Sequence, residues 1–274
     1  MKFTTVDLTP RIGTEIGVDL ETLLSGSAAA ELREILEQRG VIVLRELGLD
    51  DRQQVAFART LGELDQVGRE GIFKIAINSG QDRRAAYLAP EYVKGTFFWH
   101  IDGTTGDRPN RATLLSAHRL SPSGGQTEFA NTYAAYDDLP ESEKRFLDTL
   151  KVVHSLKALQ RAVNPETAAE QAAYQRQPER THPLVWRHRS GRKSLVLGMT
   201  ASHVEGMSLA EGQALLRRLM EWATQPQFVY RHEWRVGDLV VWDNTGTMHR
   251  VVPYALDSGR TMHRTTLIGE ELLA

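Results

Sequence analysis

The chain of 274 residues contains no cysteine, which removes disulfides, zinc thiolates and iron–sulfur clusters together. Any metal it holds must be bound through His, Asp or Glu. It also lacks a run of about 20 apolar residues that could span a bilayer. Its first residues, MKFTTVDLTPRIG, carry no apolar segment of signal-peptide type. A cytoplasmic protein with no membrane contact is expected. Charge of one sign is missing too: 33 Lys and Arg against 35 Asp and Glu leave a net charge of −2. Without a long basic run there is no electrostatic footprint for nucleic acid, and RHRSGR at 187–192 reads as a solvated hairpin turn. No repeat, low-complexity tract or linker divides the sequence, so a single domain over 1–274 is expected.

What is present are early helices and many short strands. Ala28 to Arg39 places Leu32, Ile35 and Leu36 on one helical face, with Gly40 as its C-cap. An Asp N-cap in LDDRQQVAFARTLG opens a second helix carrying Val55, Phe57, Ala58 and Leu61, closed by Gly62. Ser208 with Glu211 reads as a capping box before a third, whose stripe is Leu215, Leu216, Leu219, Met220 and Trp222. Strands are expected at VIVL (41–44), FKIAI (73–77), ATLLSAHRL, SPSGGQTEF, QFVYRHEWR, DLVVWDN and RTMHRTTLIG, with HPLVWRH and KSLVLG forming a hairpin. This order predicts an α+β fold with a β-barrel or sandwich core. Two stretches without clear period, 78–96 and 156–182, are candidate lids over a site.

The chemistry starts at FFWHIDGTT. In a strand, residues i and i+2 share a face, so a strand-like approach through Phe97, Phe98 and Trp99 would project His100 and Asp102 side by side. Alone the motif is weak, since chance gives about half an H-x-D in a chain of this composition. His203 and Glu205 form a comparable pair, but they precede a helix at a loop and read as surface residues. His249, just past DLVVWDN and a Gly turn, is the candidate third ligand, because a barrel lets distant strands meet at one mouth. Two imidazoles and a carboxylate leave three metal positions open, as in non-haem Fe(II) oxygenases. The same triad also suits a Zn(II) or Mn(II) hydrolase.

Arg260, Met262 and Arg264 share one face of the last strand. If that face looks inward, the guanidiniums need anionic partners such as a small dicarboxylate; if the strand is an edge, they are surface arginines. Asp243 and Asn244 read as a turn-stabilising Asx pair. His263 lies on the face opposite the arginines, and His118, His154, His182, His188 and His232 are read as structural.

WHID, GGQT, VVWDN with MHR, and the terminal GRTMHRTTLIG together resemble the taurine dioxygenase and aryloxyalkanoate (2,4-D) dioxygenase family of Fe(II)/2-oxoglutarate enzymes, over almost the whole chain. The resemblance implies a double-stranded β-helix, or jelly-roll, core with flanking helices. It implies Fe(II) bound by His100, Asp102 and His249 as the catalytic centre, with 2-oxoglutarate and O2 as cosubstrates. Arg260 resembles the arginine that pairs with the distal carboxylate of 2-oxoglutarate, Thr127 the threonine that assists it, and Arg264 an arginine near the cosubstrate or an anionic substrate.

The expected reaction is hydroxylation of a small anionic molecule with release of succinate and CO2. GELDQVGREGIFKIAINSG lacks the histidine that contacts the sulfonate in taurine enzymes. An aryloxyalkanoate-like carboxylic acid is therefore placed first, its apolar body near Tyr87, Tyr92, Phe97 and Phe98, and an alkyl sulfonate or sulfate ester second. A jelly-roll that binds a small acid without turnover is the non-enzymatic alternative. Relatives suggest a homodimer or homotetramer.

Overall fold

The computed structural model describes residues 3–66, 68, 70–76, 90–158 and 179–273, and the side chains within these except at 90–92. The described strands are β1 Thr4–Asp7, β2 Thr14–Gly17, β3 Val41–Leu44, β4 Phe73–Ala76, β5 Ala112–Arg119, β6 Thr127–Asn131, β7 Lys151–His154, β8 Arg180–Pro183, β9 Val185–Arg187, β10 Lys193–Leu195, β11 Ala201–Val204, β12 Val229–His232, β13 Leu239–Asp243, β14 Thr247–Val251 and β15 Thr261–Leu267. The helices are α1 Leu20–Leu24, α2 Ala29–Arg39, α3 Asp51–Leu61, α4 Pro90–Gly95, α5 Thr132–Asp137, α6 Glu141–Leu147 and α7 Leu209–Ala223.

Seven strands form one sheet in the order β1-β2-β3-β13-β5-β15-β4, antiparallel throughout except for β2 beside β3. A three-stranded antiparallel sheet, β12-β6-β14, stands apart from it, with β11-β7-β8 and the hairpin β9-β10 beyond. β13 shows how the layers stack. Its Leu239 and Val241 join Ile42, Leu44 and Leu114 in a core shared with Leu32, Leu36 and Phe57 of α2 and α3. The alternate residues Val240 and Trp242 face the other way, into a second core with Val43, Leu115 and Met262 and with Phe129 and Tyr230 from the smaller sheet. Period-two alternation thus puts helices on one face of the large sheet and the three-stranded sheet on the other.

Local chemistry explains the helix ends. α2 stops at Gly40, whose φ of 71° is left-handed and whose N–H returns to the Leu36 carbonyl. α3 opens on a reciprocal capping box between Asp50 and Gln53. At α7 the box is only half made: the Ser208 hydroxyl accepts from the Glu211 amide, while the Glu211 carboxylate accepts from that hydroxyl, at 2.5 Å, rather than from the Ser208 backbone.

One expectation is corrected, and one helix is new. The approach to His100 is not a strand; α4 and turns at 96–98 lead to a single antiparallel bridge between His100 and His249. NTYAAYDDLP contains helix α5, capped by Asn131, whose side chain accepts from the Ala134 amide at 3.0 Å. Of the two lid candidates, residues 78–89 and 159–178 lie outside the described residues, as does Ile77, the expected last residue of the FKIAI strand.

Candidate active site

His249 sits in β14, and His100 reaches it through the bridge: each backbone N–H donates to the other's carbonyl, at 3.0 Å from His100 and 2.9 Å from His249. The two rings lie 4.1 Å apart between centroids. Gly198 makes room behind this pair. Its φ is +127°, and a Cβ there would lie 3.1 Å from the His100 Cα.

Asp102 completes the group. Its Oδ1 is 3.8 Å from His100 Nε2, and its Oδ2 is 4.0 Å from His249 Nε2. His100 Nδ1 lies 2.8 Å from the Phe98 carbonyl. A carbonyl only accepts, so Nδ1 donates there and Nε2 is the ring nitrogen turned towards Asp102. Burial, with His100 beside it, pushes the His249 imidazole down to about 3. Burial works to raise the Asp102 carboxyl, but His249, Arg264, His100 and the Thr113 hydroxyl outweigh it and hold the group below its ordinary value. Two imidazoles facing one carboxylate are a donor set that fits a divalent metal with open positions.

Asp102 is supported from beneath. Thr113 Oγ1 donates to its Oδ2 at 3.1 Å, Asn244 Nδ2 donates to Thr113 Oγ1 at 2.9 Å, and Trp242 Nε1 donates to Asn244 Oδ1 at 2.9 Å. Asp243 does stabilise its turn, accepting from the Thr245 amide and hydroxyl at 2.9 and 2.7 Å and from Arg111 at 2.9 Å. Asn244 does not share that role, because its side chain turns inward across β5.

Arg260 is 4% exposed. It donates to the Gly125 carbonyl at 3.2 Å, its guanidinium lies 4.9 Å over the Tyr254 ring, and among the described residues no acidic side chain pairs with it. Burial lowers its pKa. Two residues beyond Gly125 is Thr127, buried in β6, whose hydroxyl accepts from Trp234 Nε1 at 3.0 Å. Arg260 also lines a cavity of about 120 Å³ with the 120–126 turn and Trp234. Arg264 stands above the Phe73 ring at 5.1 Å, and its charge acts on both Asp102 and His249. The arginine-bearing face therefore looks inward.

A larger cavity of about 480 Å³ borders the residues just before His100, walled by Phe98, Trp99, Leu197, Met199, Leu216 and Met220. Phe97 packs edge-on against Tyr254 at 5.6 Å. Tyr87 and the Tyr92 side chain lie outside the described residues.

The remaining histidines are accounted for locally. His232 contacts Asp238 and Tyr230, at 3.1 and 2.9 Å; His154 contacts Thr200 at 2.9 Å and His182 the Thr104 carbonyl at 3.0 Å. His263 and His118 stack at 3.6 Å and converge with Asp51, the second such group among the described residues. There His263 closes directly on the Asp51 carboxylate at 2.5 Å, and Lys74 stands 3.4 Å from its other oxygen. A protein cation already neutralises that carboxylate. His203 and Glu205 belong to neither group.

Known proteins resemble this one in sequence and in shape. It is 40% identical, over 92% of this chain and 90% of the relative, to an alpha-ketoglutarate-dependent 2,4-dichlorophenoxyacetate dioxygenase of Burkholderia sp. (strain RASC). An alpha-ketoglutarate-dependent sulfate ester dioxygenase of Pseudomonas putida is 31% identical over 95% of this chain and 87% of its own. The crystal structure of AAD-2 in complex with Mn(II) and N-oxalylglycine superimposes with a TM-score of 0.84 at 32% identity, covering 99% of both chains. The class is that of the 2-oxoglutarate-dependent non-haem iron dioxygenases, which use Fe(II), 2-oxoglutarate and O2. Within it the chain belongs to the taurine catabolism dioxygenase TauD, TfdA family, whose model matches residues 4–266.

Proposed function

We propose that this dioxygenase hydroxylates a small carboxylic acid of the aryloxyalkanoate type, releasing succinate and CO2, with His100, Asp102 and His249 as its metal ligands. The observation that carries the reading is the convergence of these three side chains in a protein whose inward-facing Arg260 is buried with no acidic partner among the described residues. Relatives acting on phenoxy acids support the substrate class: besides the 40% match, an (S)-phenoxypropionate/alpha-ketoglutarate-dioxygenase of Sphingobium herbicidovorans is 33% identical over 84% of this chain. We read the facing sheets as a double-stranded β-helix and the whole chain as one domain.

Bound Fe(II) supplies the activation of O2 that C–H oxidation requires. The protein supplies position and charge. Arg260 offers a planar pair of donors to the distal carboxylate of 2-oxoglutarate, in a buried place where such a pair is strong. Because Thr127 accepts from Trp234, its own hydroxyl proton is free to donate to that carboxylate. Arg264, whose field already reaches the ligands, attracts the acid group of the substrate. The apolar walls around Phe98 and Trp99 accept the body of the molecule.

The test starts without oxygen. Fe(II) and 2-oxoglutarate are added to the purified protein, and a weak visible charge-transfer band is expected, lost in His249→Ala. Phenoxyacetate and an alkyl sulfate are then compared for oxygen-dependent succinate release. Release with the alkyl sulfate alone overturns the substrate class; a hydrolase would act without O2 and show no band.

A further inference from the structure

We propose that Trp242, Asn244 and Thr113 form a one-way hydrogen-bond chain that commits one oxygen of Asp102 and leaves the other for the metal. The proposal rests on Asp102 being a metal ligand and makes the three side chains positioning residues.

The direction of the chain follows from its first member. An indole N–H can only donate, so the atom of Asn244 facing Trp242 Nε1 at 2.9 Å must be the carbonyl oxygen. That fixes the amide, and its NH2 faces Thr113 Oγ1 at 2.9 Å. The Thr113 hydroxyl therefore accepts there, and its single proton goes to Asp102 Oδ2 at 3.1 Å. Bulk solvent does not compete: Trp242 is 2% exposed and Thr113 and Asn244 are fully buried. The frame is rigid as well, since Trp242 and Thr113 are register partners across β13 and β5.

A carboxylate with both oxygens free can chelate a metal through both and occupy an extra position. Here a charge-assisted hydrogen bond holds Oδ2, and Oδ1, on the His100 side, remains to bind. The open positions needed by two cosubstrates are thereby kept. The indole that starts the chain also packs against the His249 ring at 4.7 Å, so one side chain steadies two of the three ligands.

Mn(II) affinity of the protein, with melting temperature beside it, tests this in wild type, Thr113→Val, Thr113→Ser, Asn244→Asp and His249→Ala. Asn244→Asp keeps the shape and still accepts from the indole, but it has no donor and draws the Thr113 proton to itself. Thr113→Val and Asn244→Asp should weaken Mn(II) binding about tenfold or more, while Thr113→Ser stays within about twofold of wild type. The Co(II) absorption spectrum should change in the same two variants and not in the serine one. Wild-type affinity in Thr113→Val and Asn244→Asp overturns the proposal, as does an equal loss in Thr113→Ser. If Thr113→Val does not fold, Asn244→Asp against Thr113→Ser decides alone. If wild type binds no Mn(II), or His249→Ala retains it, the metal assignment itself fails and takes the chain with it.

Discussion

Gly198 lies against the backbone of His100, its missing side chain leaving 3.1 Å between an imagined Cβ and the His100 Cα. Because the His100 backbone is locked to His249 by two hydrogen bonds, pressure at Gly198 is transmitted to both imidazole rings. Gly198→Ala should cost about 1–3 kcal/mol of stability through its φ of +127°. It should also weaken Mn(II) binding, because His100 must shift. Denaturant unfolding and metal titration read the two effects separately, and full metal affinity in a destabilised variant would disprove the coupling.

Arg260 bears a buried charge that, among the described residues, no carboxylate neutralises. Burying such a group is costly until its partner arrives. Arg260→Met should therefore melt a few degrees higher than wild type without ligand, at about 2–4 °C per kcal/mol for a chain of this size. The same variant should need about 10- to 150-fold more 2-oxoglutarate, from the 1.5–3 kcal/mol of a charged hydrogen bond. Thermal melts with and without 2-oxoglutarate decide it: the ligand should raise the wild-type midpoint and leave the variant unmoved.

Burial, with His182 nearby, pushes His154 down to about 3, and burial, with Arg192 and Arg111, pushes His188 down to about 4. In the unfolded chain both would titrate near about 6.5. Below that pH the unfolded state binds protons that the native state refuses, so stability falls as pH drops from 6.5 towards 4. His154→Asn should reduce this slope by about 1.4 kcal/mol per pH unit between pH 6 and 4.5. Urea unfolding across that range measures it, and an unchanged slope would show that His154 is charged when folded.

Much of the candidate site could be read along the chain because its parts have short-range signals. His100 and Asp102 are two residues apart, His249 follows a strong apolar strand, and Arg260 and Arg264 alternate on one face. Caps at Asp50 and Gly40 are local chemistry and were equally visible. Asn244 carried no such signal. Next to Asp243 it has the composition of a turn, and the partner that gives it another role, Thr113, lies 131 residues away. Helix α5 is too short, at 6 residues, to show a period. The bridge that replaces a strand at His100 depends on β14, which only the assembled sheets bring near.

β13 separates two kinds of sensitivity within five residues. Leu239 and Val241 face the helices, so polar substitutions there should be found as loss of folded protein. Trp242 faces the other way, and its loss should appear as metal-poor protein that still folds. Inserting one residue ahead of Leu239 would exchange the two sets at once, so a change of length in this strand should fail on both counts together.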